Sequence, residues 1–113
     1  MPYLTVYTNV KSENYNQLAE EASTLTAKVL CKPENYVITN IIHNSAMAFG
    51  GSVQNKGALA ELKSIGLGNK DKFVAEITSL LARYLSIKDT QYIAVTLTDA
   101  PAAYTACAGQ TFA

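Results

Sequence analysis

From residue 3 to residue 8 the chain reads YLTVYT, a run of apolar, aromatic and β-branched side chains. That composition suits a strand. Asn9 begins a turn, and from Ser12 to about Leu30 the period changes. Leu18, Ala22, Leu25 and Val29 are spaced by four, three and four, which puts them on one face of a helix. Ser12 and Asn14 are suited to cap its start, and Pro33 is expected to stop it. YVITNIIH, residues 36–43, is β-branched and reads as a buried strand. AMAFGGS, residues 46–52, predicts a short strand and a tight turn at its two glycines. ALAELKSIG, residues 58–66, is the next strand candidate, although its Ala, Glu and Leu content suits a helix equally. Asn69 is placed to cap a second helix with an apolar stripe of Phe73, Ile77, Leu80, Leu81 and Tyr84. YIAVTLT, residues 92–98, is the closing strand. The tail DAPAAYTACAGQTFA is too short for another unit, and a short strand lent to a neighbour's edge is expected of it.

The plan is therefore β-α-β twice, as pseudo-repeats of about 2–55 and 56–113 within one domain. Both joints carry Lys four positions before Tyr: KPENYVI at 32–38 and KDTQYIA at 88–94. A helical crossover makes each strand pair parallel and right-handed. The fold class predicted is α/β (α+β), a four-stranded mixed sheet with both helices on one face. The other face is left uncovered. Its apolar residues are expected among Leu4, Val6, Ile38, Ile42, Val95 and Leu97, and other copies of the chain are expected to cover them.

Composition sharpens this picture. Apolar residues make up 49% and charged residues 16%, so some apolar surface is available for an oligomer interface. Nine basic and nine acidic residues cancel, and no basic cluster tracks a phosphate backbone, so nucleic acid is not an expected partner. No 18-residue apolar run spans a bilayer, and no basic stretch leads into an apolar one at the start, so no membrane role and a cytoplasmic location are expected. Cys31 and Cys107 form no metal or redox motif and are expected to be small buried thiols. His43, the only histidine, is expected at a strand end. Neither a metal nor a cofactor is expected.

The chemistry is concentrated at the start. Pro2 has no N–H for a sheet ladder and is tolerated as the first residue of a strand. Methionine before a small residue is usually clipped, which leaves a free secondary amine fixed at the strand start. While Met1 is attached, that nitrogen is an amide and not a base. The dipeptide by itself favours the structural reading.

Met1-Pro2, Lys32-Pro33 before a strand, MAFGGS at 47–52, SIG at 64–66 and the closing TFA at 111–113 stand in order along the whole chain. Together they resemble the macrophage migration inhibitory factor family of the tautomerase superfamily. The resemblance implies a homotrimer with active sites at subunit interfaces. It implies keto–enol tautomerisation of phenylpyruvate-like α-keto acids, with Pro2 as general base. Desolvation in an apolar pocket and a nearby cation each lower the amine's pKa, which suits a base working near neutrality. By the same resemblance Lys32 binds the substrate carboxylate, Ile65 offers its backbone N–H to it, and Tyr36 and Phe112 line the pocket. A lysine at a helix C-terminus, a core isoleucine, a tyrosine packing at a subunit interface and a phenylalanine in plain packing are the structural alternatives.

Three departures from the family pattern bear on function. Gly57-Ala58-Leu59-Ala60 stands where some members carry Cys-x-x-Cys, so thiol oxidoreductase chemistry by that motif is absent. Ala94 and Thr96 stand where vertebrate members place a tyrosine and an asparagine in the neighbouring subunit's pocket, with Tyr92 expected to substitute there in part. Cys107 replaces a rim aromatic. Altered substrate preference with retained proton transfer is the expectation. The alternative reading is a cytokine-like binding protein with weak or vestigial chemistry, since the family leaves cells by an unconventional route.

Overall fold

The computed structural model describes all 113 residues. Its elements follow the doubled plan: β1 (Tyr3–Thr8), α1 (Tyr15–Leu30), β2 (Ile38–His43), β3 (Ala58–Ser64), α2 (Lys70–Leu85) and β4 (Ile93–Asp99). A small hairpin of β5 (Ala106–Cys107) and β6 (Gln110–Thr111) ends the chain. The main sheet runs β2-β1-β3-β4. β1 and β2 are parallel, β3 and β4 are parallel, and the two halves meet antiparallel at β1 and β3. The ALAELKS segment is a strand, not a helix. Central placement between β1 and β4 gives it two ladders, and this tertiary pairing settles an ambiguous local propensity in favour of the strand.

The core lies between the sheet and the two helices. Phe73, Ile77, Leu80 and Leu81 of α2 are buried there, with Leu18, Ala22 and Val29 of α1 and with Leu4, Val6 and Leu62 of the sheet. Leu25, Tyr84, Val95 and Leu97 pack against its margin. Leu4, Val6, Val95 and Leu97 are therefore on the covered side, contrary to expectation. The pleat sends alternate residues to opposite faces. Even positions of β1 face the helices, which leaves Tyr3, Thr5 and Tyr7 for the other face. That open face also carries Ile38, Ile42 and Leu59, but Thr96, Thr98, Glu61 and Lys63 as well. It is a mixed surface and not a second apolar core.

Both helices stop without help from proline. Cys31 and Ser86 adopt left-handed conformations, φ 54° and 53°, just past α1 and α2. The next N–H turns back onto the helix: Lys32 N to Ala27 O and Ile87 N to Ala82 O, each 3.0 Å. This closure satisfies carbonyls that a helix end leaves unpaired. Pro33 instead introduces a 3-10 turn, Glu34–Tyr36, so Tyr36 precedes β2 and is not within it. Asn14 and Asn69 hold the N-cap positions, but neither side chain makes a capping bond. Their backbones lie outside the extended region that aims a cap side chain.

The loop between β2 and β3 folds as a tight turn. Phe49 and Ser52 form an isolated bridge around Gly50 and Gly51, both at positive φ (60° and 85°). Two such central residues match the twist of a hairpin, and glycine adopts them without strain. Asn9 holds the loop, donating to Met47 O at 3.0 Å and Asn55 O at 2.8 Å and accepting from Gly57 N at 3.1 Å. The tail, expected as a single strand for a neighbour, pairs with itself through Ala108 and Gly109, both at positive φ. Both thiols are exposed, against expectation. Cys31 sits outside its helix as the left-handed cap, and Cys107 lies on the projecting hairpin. His43 ends β2 as predicted and stacks on Tyr15, ring centroids 6.3 Å apart.

Candidate active site at the start of β1

The first residues of the chain continue β1 into the end of the sheet. Pro2 is buried on the core side, in line with Leu4 and Val6. Its carbonyl accepts from Ile38 N at 3.0 Å, and Thr8 O accepts from Asn44 N at 2.9 Å. Even residues of β1 thus turn their peptide groups toward β2. Odd residues turn theirs toward β3, where Tyr3 stands opposite Lys63. One step further in this antiparallel register puts Pro2 opposite Ser64, and the next puts Met1 opposite Ile65.

That last rung is not made. The Ile65 carbonyl accepts from Lys32 Nζ at 2.8 Å, and the Ile65 N–H has no acceptor in the chain. Lys32 reaches this point because the α1 closure fixes its backbone immediately after the helix. One ammonium proton is used, and two remain for a ligand. A backbone donor and a cation therefore converge where the ladder stops. This is a geometry suited to a carboxylate. Beside it the Ser64 hydroxyl is fully buried with no hydrogen-bond partner.

The site also shapes the electrostatics of the amine next to Pro2. The Met1 ammonium is pushed below its ordinary value, first by burial and second by the charge of Lys32. Both causes disfavour the protonated form. They are the two influences expected on a Pro2 amine at the same end of the strand.

Tyr36 and Phe112 stand together at the rim. Their rings meet edge to face, with centroids 5.9 Å apart, and both are partly exposed. The tail hairpin carries Phe112 here, its N–H donating to Thr105 O at 3.0 Å. The Tyr36 turn leads straight into Ile38, which bonds Pro2. All five residues singled out from sequence, Pro2, Lys32, Ile65, Tyr36 and Phe112, thus gather at one end of the sheet. Within its own chain Tyr92 lies apart from this end of the sheet. Its ring lies over Gly50, close enough that a Cβ there would sit 2.9 Å from it. A 3-10 turn, Thr90–Tyr92, takes it out of the β4 alternation that would have aligned it with Ala94. Ser64 and the Asp99 carboxylate, which accepts from Gly66 N at 2.9 Å, were not visible from spacing. The only sequence signal for them is the SIG glycine, which requires a left-handed turn at this point (φ 75°).

The concavities of the single chain lie elsewhere. The largest is between the helices, lined by Glu21, Leu25, Lys28, Leu80 and Arg83 among others. The Pro2 end of the sheet is open to one side. No group of His, Cys, Asp and Glu stands close enough to hold a metal ion, and no helix is long and apolar enough to cross a membrane.

The sequence model of the family described as macrophage migration inhibitory factor matches residues 1–113. A macrophage migration inhibitory factor homolog of Brugia malayi is 39% identical over 98 residues, 82% of this chain and 84% of the relative. The crystal structure of a macrophage migration inhibitory factor homologue from Prochlorococcus marinus superposes with a TM-score of 0.88 at 30% identity, covering 98% of this chain and 99% of that one. The factor from Trichinella spiralis gives a TM-score of 0.88 at 25% identity, covering 97% and 99%.

Proposed function

The chain belongs to the macrophage migration inhibitory factor family, and on that premise we propose that it is a keto–enol tautomerase of phenylpyruvate-like α-keto acids, with Pro2 as general base once Met1 is removed. The observation that carries this reading is the unmade rung at Ile65. An open N–H and a lysine ammonium face the place that Met1 would vacate. A substrate carboxylate bound there sets its keto group beside the Pro2 nitrogen. Neutral Pro2 takes a proton from the carbon alpha to the carbonyl. The electron pair of that C–H bond becomes the enol double bond, and the keto oxygen takes up a proton. In the ketonising direction Pro2 takes the enol O–H proton and returns one to carbon. The proline ring fixes φ and so aims the nitrogen. Tyr36 and Phe112 offer aromatic faces to an aryl side chain.

The test is an ultraviolet assay of phenylpyruvate ketonisation, with intact mass showing that the chain starts at Pro2. Trimmed protein with no turnover of aryl or alkyl α-keto acids would leave a binding module as the better reading.

Lys32→Ala separates the two roles of the lysine in this reading. Loss of a charge-assisted contact raises KM by about tenfold to a hundredfold. Loss of the cation also relieves repulsion of the protonated amine, so its pKa rises and the acid limb of the pH–rate profile moves to higher pH. For the Met1 ammonium burial is the first cause and Lys32 the second; with the same order at Pro2, the limb moves only part of the way to that of a free amine. An unmoved limb with unchanged KM removes both roles.

A second copy of the chain closes the open side of the site in this proposal, as a homotrimer. The open sheet face, with Tyr3, Tyr7, Ile38, Ile42 and Leu59, supplies part of the contact. Sedimentation should give a mass near three times the 12.2 kDa of one chain. A stable monomer with full activity contradicts a site shared between copies.

A further inference from the structure

Three groups flank the open Ile65 N–H, and two of them come from the end of β4. Ser64 O accepts from Ala100 N at 2.8 Å. The chain has no cis peptide, so within that plane the Ile65 N–H must point the opposite way, toward β1 and Pro2. In the next plane Ile65 O accepts from Lys32 Nζ and Gly66 N–H donates to the Asp99 carboxylate at 2.9 Å. Gly66 is at φ 75°. The two backbone torsions of Ile65 that join these planes are thus held from both sides at the end of β4, by the Ala100 N–H and by the Asp99 carboxylate.

Asp99 has no other visible task. It is exposed, stands opposite Ser64 at the end of the β3–β4 register, and belongs to neither of the two ion pairs of the chain. A carboxylate accepting a backbone N–H makes a stronger bond than a neutral acceptor. Without it the glycine turn is free to relax, since glycine visits many conformations at little cost. The Ile65 carbonyl would then turn and carry the Lys32 ammonium with it.

We propose that Asp99 is a positioning residue: by holding Gly66 N–H it fixes the Ile65–Gly66 peptide plane and, through Ile65 O, aims the Lys32 ammonium at a substrate carboxylate beside the Ile65 N–H. The inference rests on the reading of this end of the sheet as a carboxylate site. It does not require that the bound carboxylate react.

The experiment uses protein beginning at Pro2 and two readouts. One is phenylpyruvate turnover. The other is the affinity for 3-phenylpropionate, an aryl carboxylate with no keto group, followed by the Ile65 amide shift in nitrogen-15 spectra. Asp99→Ala should raise KM and the 3-phenylpropionate Kd by about tenfold, the scale of one displaced contact to a charged group. kcat should change far less, because Asp99 does not reach the reacting atoms. Asp99→Asn keeps an oxygen acceptor for Gly66 and should recover most of that loss, which a requirement for charge alone would not allow. Turnover with KM and Kd unmoved in Asp99→Ala overturns the inference and leaves the proposed activity standing. Carboxylate binding that depends on Asp99 without any turnover sinks the activity and supports the inference. Absence of both binding and turnover in the parent protein overturns the two together.

Discussion

Protein that retains Met1 should turn phenylpyruvate over at least about a hundredfold more slowly than protein beginning at Pro2, within the range that a positioned general base contributes. Two physical effects add. With Met1 attached the Pro2 nitrogen is an amide, whose lone pair is shared with the carbonyl and accepts no proton. Met1 is also buried and stands, by register, opposite Ile65. It fills the place where the open N–H and Lys32 would meet a carboxylate. Retention should therefore lower both kcat and affinity. Trimmed Pro2→Gly leaves that place vacant and tests the proline itself. It keeps an amine at the chain start but loses the ring that directs it, so kcat falls while binding of 3-phenylpropionate persists. Intact mass and the ultraviolet assay on the three proteins decide the matter. Equal rates for the trimmed parent and Pro2→Gly would take Pro2 out of the mechanism.

The largest effect on stability is expected at Phe73. Its side chain is fully buried on α2, beside Ile77 and Leu81 and over the covered face of the sheet. Truncation to alanine removes apolar contacts and leaves a cavity that neighbours only partly fill. A loss of about 3–5 kcal/mol in unfolding free energy is the usual scale for such a site. Domains of this size have only about 5–15 kcal/mol in total, so Phe73→Ala should lower the denaturant midpoint severely. Glu76→Ala, on the exposed side of the same helix, should stay within about 0.5 kcal/mol. The comparison is made by circular dichroism at one protomer concentration, because any assembly adds a concentration-dependent term. A loss under about 1 kcal/mol at Phe73 is incompatible with the core described.

Much of this architecture can be read along the chain. The β-branched runs, the two helical stripes and their doubled order give four strands and two helices with the helices on one face. The apolar stripes of both helices turn to the sheet where their spacing places them. The ordered motifs point to Pro2, Lys32, Ile65, Tyr36 and Phe112, and the structure brings those five to one end of the sheet.

Other features were decided only by the tertiary structure. Alternation shows that β1 has two faces but not which one the helices cover. Leu4 and Val6 went to the covered face and left a mixed, partly polar surface behind. The two Lys-x-x-x-Tyr joints look alike in sequence. Yet Lys32 follows its helix cap directly and reaches Ile65, whereas Lys88 is one residue further from its cap and is exposed. Tyr92 was drawn over Gly50, and Cys31 was exposed by the left-handed turn that ends its helix. The Asp99 bond to Gly66 joins positions 33 residues apart. Periodicity is a property of neighbours along the chain, so it fixes elements and their apolar faces. A hydrogen bond between the ends of two strands depends on register, and register is set only when the strands pair.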